Sequence, residues 1–154
     1  MMTTTTDAGR VPEPLAEIVE EFQELPDQQK LELLLELSRE LPEVPERYRN
    51  DADSMEQVVE CQTPLFLAFE YDDDARIARI VFSAPPEAPT TRGFASILHQ
   101  GLDGLTYEEI LATPDDVAHR LGLSQAITPL RLRGMSAMLG RIKRNITAHV
   151  AALS

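Results

Sequence analysis

Apolar residues recur at helical spacing near both ends of the chain and at strand spacing in its middle, and this change of period is the strongest structural signal it carries. Leu15, Ile18, Val19 and Phe22 follow i, i+3, i+4, i+7, with Pro14 suited to a first turn and Pro26 closing the run. A second helix is expected from an Asp27 cap to Pro42, with Leu31, Leu34, Leu35 and Leu37 or Leu41 on its apolar side. Both read as amphipathic helices facing a core. Pro42, Pro45 and the polar stretch 46–53 have no period and read as a linker. Strand patterns follow at 55–59, 65–71 and 76–82, the last two separated by Asp72-Asp73-Asp74 as a turn, before a proline-rich loop at 85–89. They predict a small antiparallel meander with one face covered.

From residue 90 the pattern is helical again. Thr106 with Glu109 forms a capping box, Thr113-Pro114 with Asp116 repeats that logic, and Thr128-Pro129 opens a long last helix. Leu132, Met135, Leu139, Ile142, Ile146, Val150 and Leu153 keep a 3-4 spacing along it, and Arg131, Arg133, Arg141, Lys143 and Arg144 make it basic. The order is two N-terminal helices, about three antiparallel strands, then C-terminal helices packed on them, which is the segregated α+β class. We read one domain over 13–154 after a frayed tail at 1–12.

Composition narrows the function. A chain of 154 residues has room for one core, and 43% hydrophobic with 26% charged residues supports a globular fold. The net charge of −12 argues against nucleic acid and anionic lipid, so proteins are the expected partners. Residues 1–74 hold 20 acids and 5 bases, whereas 75–154 hold 6 acids and 9 bases, so the N-terminal half is the acidic pole. The single cysteine, Cys61, cannot form an intramolecular disulfide and fits a cytoplasmic location. No leader or membrane-spanning pattern is visible.

Candidate chemistry is sparse. His99, His119 and His149 lack the spacing of metal ligands, and no glycine-rich phosphate loop or Gly-x-Ser-x-Gly elbow occurs, so no cofactor or metal is expected on this chain. Residues 116–124, Asp-Val-Ala-His-Arg-Leu-Gly-Leu-Ser, resemble the first helix and turn of a helix-turn-helix DNA reader, and 106–127 is kept as that alternative. Pro129 and the negative charge weigh against it. Cys61 remains. A lone cysteine is ordinarily a small buried hydrophobe, yet this one sits at a strand end with Pro64 three residues on, where a loop can present its sulfur.

Cys61-Gln62-Thr63 between two short strands, Arg92-Gly93-Phe94, residues 105–111 (Leu-Thr-Tyr-Glu-Glu-Ile-Leu) and Thr128-Pro129-Leu130-Arg131-x-Arg133-Gly134-Met135 together resemble SufE, the sulfur-accepting partner of a cysteine desulfurase. The likeness runs from about Leu15 to Leu153. It implies an α+β fold shared with iron–sulfur scaffold proteins of the IscU type and a role in iron–sulfur cluster assembly. It places the acceptor sulfur on Cys61 and partner contacts on Gln62, Arg92, Arg131 and Arg133. Pyridoxal phosphate is then expected only in the desulfurase, and a scaffold protein is a second partner. Glu60 stands where the family usually has glycine before the cysteine, and Thr63, Pro64 and Phe66 replace its serine and tryptophan.

Thiolate fraction and access govern such a transfer. Glu56, Glu60 and Glu70 surround Cys61 in sequence, with Arg49 and Arg76 as the nearest bases, so the free thiol is expected to be sluggish until docking or Arg131 supplies positive charge. A third reading is an interaction module whose cysteine is inert.

Overall fold

The computed structural model describes residues 11–49, 54–61 and 64–153. Helices α1 (Glu13–Gln23) and α2 (Asp27–Ser38) form where the leucine spacing predicts them. Pro14 sits in the first turn of α1, where a missing N–H leaves no bond unmade, and Leu15, Val19 and Phe22 are buried. Val11 and Pro12, read from the sequence as tail, belong to the folded part: Val11 packs on the core and the Pro12 carbonyl accepts from Ala16 N–H at 2.7 Å. Residues 1–10 lie outside the described residues. In α2, Pro26 takes the cap position and Asp27 is the first helical residue, paired with Lys30. Leu34 and Leu37 turn inward while Leu35 is exposed, so the apolar stripe is narrower than the sequence suggested. Within the segment read as linker, Glu46–Arg49 makes one helical turn, α3.

The middle of the chain is a three-stranded antiparallel sheet in the order β1-β2-β3, with β1 (Glu56–Gln57), β2 (Phe66–Asp72) and β3 (Ile77–Ser83). Ala78, Ile80 and Phe82 alternate inward along β3. Its outer edge is closed by residues 103–107: Gly104 N–H donates to Ala78 O, Ala78 N–H to Leu105 O, Tyr107 N–H to Arg76 O, and Ile80 N–H to the Asp103 carboxylate. That edge is therefore not left open for pairing with another chain.

Helix α4 (Pro89–Leu102) lies at the centre, and two of its glycines let the N-terminal helices close on it. A Cβ at Gly93 would lie 2.4 Å from the Leu34 carbonyl oxygen of α2, and one at Gly101 would lie 2.7 Å from Leu15 Cδ1 of α1. Helix α5 (Tyr107–Ala112) opens with the predicted capping box, both halves made. The start expected at Thr113 does not form. Its hydroxyl donates instead to Glu109 O at 3.0 Å and closes α5, while Asp116 pairs with Arg120 and makes no cap bond for the single turn α6 (Val117–Arg120). A 3-10 turn follows at Leu123–Gln125. Residues 106–127 thus hold helices of six and four residues and a 3-10 turn, with nothing long enough to serve as a recognition helix. The helix-turn-helix alternative is thereby set aside.

Helix α7 (Pro129–Ala152) spans 24 residues and starts at Thr128, whose hydroxyl accepts from Arg131 N–H at 3.3 Å. Leu132, Met135, Leu139, Ile142 and Ile146 are buried as their spacing predicts, joined by Met138; Val150 is partly covered and Leu153 is exposed. Among the described residues no helix is long and apolar enough to cross a membrane.

Candidate functional site

β1 is short because the chain leaves the ladder early. Val58 N–H still donates to Leu65 O at 2.8 Å, but Cys61 N–H turns back on Val58 O at 3.1 Å, which carries Cys61 off the sheet and against α7. There the thiol donates to the Gly134 carbonyl, with 3.7 Å between sulfur and oxygen. The fit is close: a Cβ built at Gly134 would lie in ordinary contact, 3.5 Å from Cys61 Sγ and 3.6 Å from Cys61 Cα, so the position has room for a methyl group but little more.

The half-buried sulfur borders a cleft of about 130 Å³. Thr90 and Thr91 from the first turn of α4 line it, with Thr128, Leu130 and Arg131 from the start of α7 and Met135 and Met138 further along that helix. The starts of the two longest helices, 14 and 24 residues, therefore meet beside one sulfur. Arg131 supplies a positive charge on the rim of this cleft.

Behind the cleft, Arg141 of α7 grips the turn. Its guanidinium donates through Nε to Glu60 Oε1 at 2.8 Å, through Nη2 to Glu60 Oε2 at 3.2 Å and through Nη1 to Glu56 Oε2 at 2.7 Å. Asn145 Nδ2 adds a bond to the other Glu56 oxygen at 3.0 Å. Burial alone would raise the Glu56 carboxyl, but the bonds from Asn145 and Arg141 outweigh it and hold it below its ordinary range; the Arg141 bonds do the same for Glu60. The Cys61 thiol moves the opposite way. Burial first, then the Glu60 carboxylate, pushes it up to about 11, with Arg141 pulling weakly against them. This agrees in direction with the sequence-based expectation but not in leading cause, and the base that approaches is neither Arg49 nor Arg76.

Of the residues expected at the partner surface, Arg131 shares the cleft with Cys61 and is exposed, and Arg133 is exposed on an adjoining groove with Glu60 and Leu130. Arg92 is not offered there. It donates through Nε to Ser38 O at 2.8 Å, through Nη1 to Ala84 O at 2.7 Å and through Nη2 to Leu41 O at 3.4 Å, tying the end of α2 to the exit from β3. Its role in this structure is to join backbone segments whose carbonyls would otherwise lack donors. Gln62 lies outside the described residues. Sequence reasoning missed Gly134, Met138, Arg141 and Asn145 as one group, although their 3-4-3-4 spacing, counted on from Arg131, puts them along one face of α7. Among the described residues no three His, Cys, Asp or Glu side chains are grouped to hold a metal ion. His149 is occupied by stacking on Tyr71, 3.6 Å between ring centres, and by a 2.7 Å contact with Asp73.

Residues 16–146 match the SufE family, described as an Fe-S metabolism associated domain. The chain belongs to the SufE family. It is 55% identical over 141 residues to SufE-like proteins of two Mycobacterium tuberculosis strains, covering 92% of this chain and 96% of theirs. In three dimensions it is similar to the solution structure of a hypothetical protein from Thermus thermophilus, with a TM-score of 0.78, 34% identity, and coverage of 92% of this chain and 98% of that one. The SufE likeness thus spans both the loop that carries Cys61 and the helix that carries Arg131 and Arg141.

Proposed function

We propose that this SufE-family protein accepts sulfur on Cys61 from a cysteine desulfurase, thereby activating that enzyme, and passes the sulfur on for iron–sulfur cluster assembly. The observation that carries the reading is the placement of the only cysteine at a turn, beside a cleft into which two long helices begin. Family membership in Fe-S metabolism supports the setting.

In the proposed reaction the desulfurase, using its own pyridoxal phosphate, has taken sulfur from free cysteine and holds it as a persulfide. Cys61 loses its proton and its thiolate attacks the terminal sulfur. A sulfur–sulfur bond forms on Cys61 as the one on the desulfurase breaks, and the departing desulfurase thiolate takes up a proton. Sulfur moves with no net oxidation or reduction. A thiol with its pKa at about 11 is ionised to only about one part in ten thousand at pH 7, so the free protein is slow and docking has to supply the activation. The product is a stronger acid than a thiol, and its anion would share the cleft with Arg131.

The surface around the cleft supports a protein partner. Val59 is 64% and Leu130 44% exposed, and Leu130 shares its surroundings with Arg131 and Arg133 in a chain whose net charge is −12. This combination suits a partner whose rim is acidic around an apolar centre. A scaffold protein would take the sulfur next, in a reducing, cytoplasmic setting consistent with one unpaired cysteine. Replacing the acceptor tests the reading: Cys61→Ser is expected to fold and bind the desulfurase but to abolish the stimulation of cysteine turnover. Undiminished stimulation by the serine variant would contradict it.

The raised thiol also favours a second reading, an interaction module with an inert cysteine. Cys61 that stays unlabelled by alkylating agents both alone and with the desulfurase present would select it.

A further inference from the structure

Glu60 is covalently next to Cys61 and Glu56 opens β1, the strand that leads into the same turn, and both carboxylates converge on one guanidinium from a helix more than eighty residues away. Arg141 is only 17% exposed and uses all three of its nitrogens in this contact, two on Glu60 in a fork and one on Glu56. Asn145, one helical turn on, fixes the remaining Glu56 oxygen and is itself bonded to Arg141 O at 2.8 Å. The clamp thus joins both ends of the 56–60 segment to α7, on the helix face that also presents Gly134 to the sulfur. We infer that Arg141 is a positioning residue for sulfur transfer: by clamping Glu60 and Glu56 it holds the Cys61 turn against α7 and sets how readily the sulfur can be reached. The purpose assigned to it rests on the sulfur-acceptor reading; the clamp itself does not.

Two effects of Arg141 on Cys61 oppose each other, which makes the inference testable. As a nearby positive charge, it favours the thiolate. As a clamp, it keeps the sulfur covered, and burial is the larger influence on this thiol. Without the guanidinium, the Asn145 bond to Glu56 and the weaker charge of Arg144 are left to offset the repulsion between Glu56 and Glu60, which favours release of the turn. If Arg141 acted only through its charge, its removal would slow alkylation of Cys61. If it acts as a clamp, removal speeds alkylation.

The measurement is the rate at which iodoacetamide alkylates Cys61 in the full chain without any partner, for the wild type, Arg141→Met, Arg141→Lys, Glu60→Gln and the Arg141→Met/Glu60→Gln pair. Circular dichroism and urea unfolding serve as the check on folding. Arg141→Met is expected to react about tenfold faster than wild type, the scale of losing a forked, partly buried ion pair. Arg141→Lys, which keeps the charge but not the fork, is expected to be faster than wild type as well. Adding Glu60→Gln to Arg141→Met is expected to give less than the product of the two single effects, because the residues form one interaction. Unchanged or slower alkylation in Arg141→Met or Arg141→Lys overturns the inference, as do single effects that multiply. Should Arg141→Met fail to fold, Arg141→Lys decides it by whether it exceeds the wild-type rate, since Glu60→Gln also removes a negative charge beside the sulfur and speeds alkylation on either view. Failure of wild-type Cys61 to take sulfur from a desulfurase is a separate result, which would remove the carrier reading and leave these rates intact.

Discussion

At Cys61 the chain places a nucleophile in a setting that suppresses it. The sulfur is half-buried against Gly134, and Glu60 adds negative charge at the adjacent residue, so the thiol is pushed from 9.0 up to about 11. Because the folded value is raised, the neutral thiol is the form that the fold favours. The stability this contributes is fully present below pH 9 and is lost as pH rises from there toward 11. The same shift sets reactivity: alkylation of the free protein is expected to keep rising with pH past 10 and to bend near 11, where a thiol in the urea-unfolded chain bends near 9. A plateau already reached by pH 8 in the folded protein would contradict this environment. The direction of the shift was legible in Glu56 and Glu60. Its leading cause was not, because burial depends on Gly134, which is 73 residues away. Arg92 misled for a related reason: an arginine opening a helix reads as available, and only the fold brings three carbonyls to it.

At the level of elements, the glycines of α4 and α7 look alike in sequence and behave differently in space. A Cβ at Gly93 would overlap the Leu34 backbone oxygen at 2.4 Å, which cannot move without shifting α2, whereas at Gly134 the nearest atoms are at ordinary contact distances of 3.5 Å and beyond. Gly93→Ala is therefore expected to lose about 1–3 kcal/mol by overpacking, despite the gain in helix propensity. Gly134→Ala is expected to stay within about 1 kcal/mol of wild type, since the propensity gain meets only mild crowding. Urea unfolding of the two variants checks this, and equal stabilities would contradict the packing described. The long helices were legible because burial on one face enforces a period of 3.6 along 11 to 24 residues. β1 falls inside the expected 55–59 but is only two residues long, and α6 is a single turn without the expected cap, because short elements are set by their neighbours. The Cys61 turn ends the ladder after Val58, and Glu109 O takes the Thr113 hydroxyl that was expected to cap a helix.

For the whole molecule, charge and exposed apolar groups give the end that holds Cys61 a character of its own. Arg131 borders the cleft beside Cys61 and Arg133 stands next to it, both exposed, with Val59 and Leu130 also in solvent. Arg131→Ala is expected to weaken stimulation of the desulfurase several-fold at low protein concentration, to recover at high concentration, and to leave the salt dependence of binding shallower than in wild type. Identical titration curves would make Arg131 a solvated helix residue with no part in docking. The fold class, the meander and membership of the SufE family were legible in sequence, the last through the motifs spread from Cys61 to Met135. The clamp from Arg141 was not, because α7 was read for its apolar stripe, and the bases on its other faces gave no sign of which one the turn would meet.

The central claim is that Cys61 carries sulfur, and the most direct measurement is the mass of the intact chain after incubation with a cysteine desulfurase and free cysteine, with and without reductant. The account predicts the gain of one sulfur atom, located on Cys61, removed by reductant and absent from Cys61→Ser. An unchanged mass with an active desulfurase whose rate the chain does not alter would contradict it.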